Sequence, residues 1–181
     1  QLSKLGKQQQ WQQVSFVLQQ LLGQDITPDL FVCNSAIIAY GKSRRWQASL
    51  DVLHYMDQQG LETNVVSYSA AIGVCAKAKS WGTAAWLLRD MLKVGHCPDV
   101  RTFSDVADAS AKQRQWAVAL QILSEMPQES CLPDMITFSL AMSACQSEEW
   151  AFGLEVLQQM EKQGLVPNDI VLSNAMRILE S

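Results

Sequence analysis

Tryptophan recurs in this chain at a fixed interval: Trp11, Trp46, Trp81 and Trp116 stand 35 residues apart, and Trp150 follows after 34. Leu21, Met56, Met91, Met126 and Met160 keep the same spacing, as do Pro28, Thr63, Pro98, Pro133 and Pro167. Three unrelated residue types on one period mark a tandem repeat. A period of this size restricts the chain to architectures in which each unit packs on its neighbours.

Within each period, apolar residues fall at offsets of zero, four, seven and ten from the tryptophan, as in Trp81, Ala85, Leu88 and Met91. That spacing is one face of an α-helix, and it predicts buried stripes containing Trp46, Trp81, Trp116 and Trp150 together with the methionines. Gly60, Gly95 and Gly164 stand where a helix needs a left-handed terminal residue, and Ser130 takes that place in one unit, which predicts a less regular helix end there. A Pro-Asp or Pro-Asn step follows, able to cap the next helix.

The segments after each cap are rich in small residues, with Tyr68, Phe103 and Phe138 again 35 apart. Each unit therefore reads as a helix–turn–helix hairpin, with the first helix of the second unit near Val65–Ala76 and its partner near Ser80–Val94. A hairpin of this size cannot bury its apolar stripe alone. The expected fold is an all-α solenoid of stacked hairpins, a superhelix without strands.

The units run 30–64, 65–99, 100–134 and 135–168, the last with a turn one residue shorter; 1–29 is the C-terminal part of an incomplete repeat and 169–181 starts a further one. Pro167-Asn168-Asp169 leaves the fourth boundary open by one residue. Ending it at Asp169 would restore the full length and make Asn174, not Ser173, the equivalent of the fifth residue in the next unit. The glutamines around Trp11 form the polar face of the first helix, and the chain, opening on Gln1, is read as a piece of a longer protein.

With 181 residues, 48% hydrophobic and 18% charged, the chain has too many apolar side chains and too little charge for a disordered acidic tail. No apolar run approaches the length of a membrane helix, so no membrane insertion is expected. The five cysteines are odd in number, form no Cys-x-x-Cys pair and lie scattered with His54 and His96, so neither a disulfide framework nor a metal site is expected. There is no Gly-rich phosphate loop, no Gly-x-Ser-x-Gly elbow and no His-x-Glu with Pro-Cys-x-x-Cys of a zinc deaminase. No enzyme and no cofactor is expected.

Val65-Val66-Ser67-Tyr68-Ser69 opening a unit, Met91 to Pro98-Asp99 closing it, and the period of 35 resemble the pentatricopeptide repeat family. The likeness covers essentially the whole chain, although a tryptophan is not that family's usual residue at the start of the second helix. It implies sequence-selective binding of single-stranded RNA, one nucleotide per unit, in transcript stabilisation, processing, splicing or translation within an organelle, plastid ahead of mitochondrion.

The resemblance also implies roles for single residues. The fifth and last residues of each unit would read a base: Asn34 with Asn64, Ser69 with Asp99, Ser104 with Asp134, and Ser139 with Asn168. Short amides, hydroxyls and carboxylates suit a Watson–Crick edge, and the same Asp and Asn residues suit helix capping. Second residues Phe31, Val66, Arg101 and Ile136 would sandwich the bases, Arg101 by its guanidinium plane. Lys7, Lys42, Lys77 and Lys112, again on the 35-residue period and expected in the inter-helix turns, would contact phosphate.

A net charge of −4 opposes an approach to polyanionic RNA unless the acids lie away from the lysines. Glu148 and Glu149 stand where the fourth unit loses its lysine. The alternative function is a helical scaffold that binds a protein segment in its groove, which an apolar concave surface would favour.

Overall fold

The computed structural model describes residues 2–23, 27–43, 45–145 and 150–179. Ten α-helices occur among the described residues: α1 Leu2–Gly23, α2 Leu30–Lys42, α3 Trp46–Gln58, α4 Val65–Lys77, α5 Trp81–Lys93, α6 Val100–Lys112, α7 Trp116–Glu125, α8 Met135–Ala144, α9 Trp150–Lys162 and α10 Asp169–Leu179. No strand occurs among the described residues. Nor is any helix there both long and apolar enough to cross a membrane.

The first helices form one layer, α2 against α4, α4 against α6, α6 against α8 and α8 against α10, while each second helix closes its own hairpin and leans on the next unit's first helix. Small residues make the first layer tight: Ala36, Ala71 and Ala141 are buried at equivalent positions of α2, α4 and α8, where α6 carries the buried Val106. The result is the α-solenoid that the period requires.

Local chemistry ends the helices where the sequence says it should. Gly60, Gly95 and Gly164 have φ of 63°, 86° and 70°, the left-handed geometry that glycine adopts without steric cost. Ser130 adopts φ 60° in the glycine's place, and the helix before it is indeed less regular: α7 stops at Glu125 and finishes in a 3-10 turn, Met126–Glu129. Pro127 is a second cause, since it has no N–H to continue the α-helical ladder.

The burial pattern corrects one expectation. The methionine stripe is core, with Met56, Met91, Met126 and Met160 fully buried, but Trp46, Trp81 and Trp116 are only half-buried and Trp150 is 54% exposed. The buried face of the second helices runs at offsets three, six, seven and ten, as in Ala84, Leu87, Leu88 and Met91. This stripe is rotated from the one read off the sequence, and the tryptophan, in the first turn, lies on its rim. There the ring covers neighbouring elements: Trp116 stacks on Phe152 with centroids 4.0 Å apart, and Arg45 places its guanidinium 3.6 Å from the Trp11 ring. No aromatic ring stacks on Trp150 among the described residues.

Candidate nucleic-acid interface

The chain enters α2, α4, α6 and α8 through an extended residue whose side chain caps the helix, and Asn168 caps α10. Oδ1 of Asp29, Asn64, Asp99, Asp134 and Asn168 accepts the backbone N–H three residues on, at 2.8, 3.0, 2.7, 2.8 and 2.9 Å. Capping by these residues is therefore realised in every unit, and Asn168 rather than Asp169 takes the cap of α10. In Asp99 and Asp134, Oδ1 also accepts the threonine hydroxyl of Thr102 or Thr137, while Oδ2 takes no hydrogen bond among the described residues.

Two of the four sequence-derived pairs are joined through a residue of the next unit. Thr102 Oγ1 lies 2.9 Å from Ser69 Oγ and 2.7 Å from Asp99 Oδ1, so one hydroxyl bridges both members of the pair. Thr137 repeats this with Ser104 at 3.2 Å and Asp134 at 2.8 Å. The other pairs are not linked in this way. Asn34 Oδ1 is buried without a hydrogen-bond partner, Asn64 bonds Ser67, and Ser139 donates to Met135 O of its own helix at 2.7 Å.

The second residues stand outward from the same edge. Phe31 is 78% exposed, Val66 55% and Ile136 63%, with Arg101 also exposed. Large apolar groups left in water at one repeated position are a row of faces waiting for a partner rather than scattered surface hydrophobes. A groove of about 770 Å³ across α2, α4 and α6 brings Val66 and Arg101 together with Ser69, Asp99, Lys42 and Lys77.

The lysine ladder is partly rearranged from the sequence expectation. Lys42, Lys77 and Lys112 are not in turns; each is the last residue of its first helix, exposed, where a cation also offsets the helix dipole. Lys112 is engaged in an i,i+4 ion pair with Asp108 and does not line the groove. Lys7 leaves the ladder altogether, because α1 runs unbroken from Leu2 and Lys7 lies within that helix; its side chain is outside the described residues. Glu148 and Glu149, and the shortened turn containing them, also lie outside the described residues.

Two contributors escaped the sequence reading. Asp105 lines the groove, and burial raises its carboxyl above the usual aspartate range; Lys77 and Arg101 pull it down, while Asp108 and Asp99 push it up. Its position four residues after Arg101 puts both on one face of α6, a spacing visible in the sequence. The bridging hydroxyls are the other omission, although Thr102 and Thr137 stand one 35-residue period apart.

Comparison with known proteins follows the same line. Residues 16–78 and 86–148 match the pentatricopeptide repeat domain family, and residues 66–96 match its single repeat. Among solved structures, the chain is similar to the pentatricopeptide repeat protein PPR10 from maize, with 26% identity over 93% of this chain and 24% of that one, at a TM-score of 0.68. PPR10 in complex with an 18-nucleotide psaJ RNA element gives 23% identity, coverage of 93% and 28%, and a TM-score of 0.62. The pentatricopeptide repeat domain of Arabidopsis thaliana protein-only RNase P 1, in complex with tRNA, gives 16% identity, coverage of 78% and 76%, and a TM-score of 0.67. The chain thus spans about a quarter of the length of PPR10. No curated protein matches its sequence.

Proposed function

Because the chain belongs to the pentatricopeptide repeat family, we propose that it binds single-stranded RNA selectively, one nucleotide per unit, along the layer of first helices. The observation that carries this reading is the groove itself. Residues marked for base edges (Ser69, Asp99), for base faces (Val66, Arg101) and for phosphate (Lys42, Lys77) line one surface of α2, α4 and α6. Exposed faces at a fixed repeat suit stacking with unpaired bases, and polar edges beside them suit hydrogen bonding. The RNA held by PPR10 and by the Arabidopsis domain supports RNA as the ligand.

Read from the N-terminal unit in the 5′-to-3′ direction, Asn34 with Asn64 takes a pyrimidine, cytosine before uracil. Ser69 with Asp99 and Ser104 with Asp134 each take guanine, and Ser139 with Asn168 takes adenine. The cap at Asn168 supports the register behind that last assignment. The setting is an organelle, plastid ahead of mitochondrion, in transcript stabilisation, processing, splicing or translation.

A scaffold for a protein segment would be better served by an unbroken apolar groove than by one carrying Lys42, Lys77, Arg101, Asp99 and Asp105. Selection from a randomised single-stranded RNA pool tests the reading. Enrichment of pyrimidine-guanine-guanine-adenine is expected, with duplex RNA of the same sequence left unbound. Recovery without enrichment, or equal binding of the duplex, would refute base reading.

A further inference from the structure

Cys97 and Cys131 lie in successive loops between units, the first ahead of α6 and the second ahead of α8. Cys97 is exposed and Cys131 half-buried, whereas Cys33, Cys75 and Cys145 are buried. Cys97 stands two residues before the cap Asp99, and Cys131 three before Asp134, so both thiols flank reading edges.

The repeat itself carries each loop onto the one before it. His96 donates Nε2–H to Thr63 O at 2.8 Å, and Cys131, one period later, donates Sγ–H to Pro98 O at 3.2 Å. Each of these carbonyls belongs to the residue before a cap, Asn64 or Asp99. Pro98 directly follows Cys97, and consecutive Cα atoms stand only about 3.8 Å apart, so the Cys131 sulfur rests on the residue beside Cys97. An exposed side chain such as Cys97 changes rotamer within nanoseconds, which lets its sulfur swing towards Cys131. The electrostatics reflect the same proximity: burial first, then Asp99, Cys97 and Glu129, raise the Cys131 thiol above its ordinary range.

We propose that Cys97 and Cys131 are a reversible redox clasp between the second and third units, closed by a low-molecular-weight disulfide and opened by thiols. The exposed Cys97 reacts first. Its thiolate attacks one sulfur of the disulfide, forms a mixed disulfide and expels one thiolate. Cys131 then loses its proton to solvent and attacks the Cys97 sulfur, forming the Cys97–Cys131 bond and expelling the second thiolate. Two protein thiols are oxidised and one external disulfide is reduced to two thiols. The closed clasp ties together the loops that carry Asp99 and Asp134, which pre-organises two adjacent reading edges and slows the escape of bound RNA. The bond itself is independent of RNA; its effect on RNA rests on the base-reading function proposed above.

The test incubates the whole chain with glutathione disulfide at pH 8, blocks remaining thiols with iodoacetamide, digests the protein and maps its cysteines by mass spectrometry. A linked Cys97–Cys131 peptide that disappears after dithiothreitol is expected, with Cys33, Cys75 and Cys145 recovered as thiols. Cys131→Ser, which keeps a donor for Pro98 O, should leave Cys97 carrying glutathione alone. Glutathione on both Cys97 and Cys131 of the natural chain, or alkylation of both, would overturn the clasp. Dissociation from a single-stranded RNA containing pyrimidine-guanine-guanine-adenine is then timed for the reduced and oxidised chains. Oxidation should slow it by at least about threefold, and the difference should vanish in Cys131→Ser. A linked peptide with unchanged dissociation would overturn the clasp's action on RNA. A reduced chain without base preference would refute base reading instead, and the peptide map would still decide the bond.

Discussion

Gly41 of α2 lies so close to Val74 of α4 that a Cβ placed on the glycine would overlap Val74 Cγ2. The close approach of first helices that places successive reading edges side by side thus depends here on a missing side chain. Gly41→Ala should destabilise the chain by about 1–3 kcal/mol, the usual cost of overpacking. Gly82→Ala, in α5 where an added Cβ meets nothing within 4 Å, should instead be neutral or stabilising by up to about 1 kcal/mol. Urea unfolding of both variants checks the pair, and similar losses in each would contradict the packing argument.

Met91 and Trp81 share one helix but not one environment, being fully buried and half-buried. Met91→Ala should cost about 2–5 kcal/mol, and Trp81→Ala should cost less despite the larger side chain removed. Thermal or chemical denaturation gives the order directly. A larger loss for Trp81 would put the tryptophan back in the core.

Asp105 ties stability to pH. Its folded pKa lies above the ordinary aspartate value because of burial, so the folded chain holds this proton more tightly than the unfolded chain. The ionised carboxylate therefore disfavours the fold at neutral pH, and that effect disappears as pH falls through the folded value towards the unfolded one. Asp105→Asn should raise the melting temperature at pH 7, with the gain vanishing in acid below the ordinary aspartate range. The variant should also bind all single-stranded RNAs more tightly, since a negative charge leaves the groove. A gain that persists unchanged in acid would assign the effect to packing rather than charge.

The lysines should act without regard to sequence. Lys42→Ala and Lys77→Ala should each weaken every single-stranded RNA alike and reduce the slope of log affinity against log salt by about one. Lys112→Ala should have a smaller effect, because Lys112 is paired with Asp108 and stands off the groove. Unchanged slopes for Lys42 and Lys77 would leave them as solvated helix ends.

The solenoid was legible because Met56, Met91, Met126 and Met160 repeat on the period of one hairpin and end up fully buried. What periodicity could not supply was the rotation of that face: the stripe read from Trp81 differs from the buried one by a fraction of a helical turn, which puts the ring at the rim. Lys7 was misplaced for a related reason. The repeat aligned it with Lys42, Lys77 and Lys112, which end their helices, while the residues around Lys7 continue one helix. The choice between Asn168 and Asp169 was open because either side chain can cap, and only the backbone N–H of Val171 decides it. Thr102 and Thr137 touch the serine of the preceding unit, so a motif confined to one unit does not contain that contact.

The most direct measurement of the central claim is the base preference of Asp99→Asn. Asparagine caps a helix as well as aspartate does, so the change alters the edge while keeping α6 in place. Binding to RNAs that differ only at the nucleotide facing residues 65–99 should show guanine preferred by the natural chain and adenine gaining in the variant. The shift should correspond to about 1–3 kcal/mol, the usual cost of a mismatched base, with the other units unaffected. An unchanged guanine preference, or an equal loss of affinity for all four bases, would contradict one-nucleotide-per-unit reading in this chain.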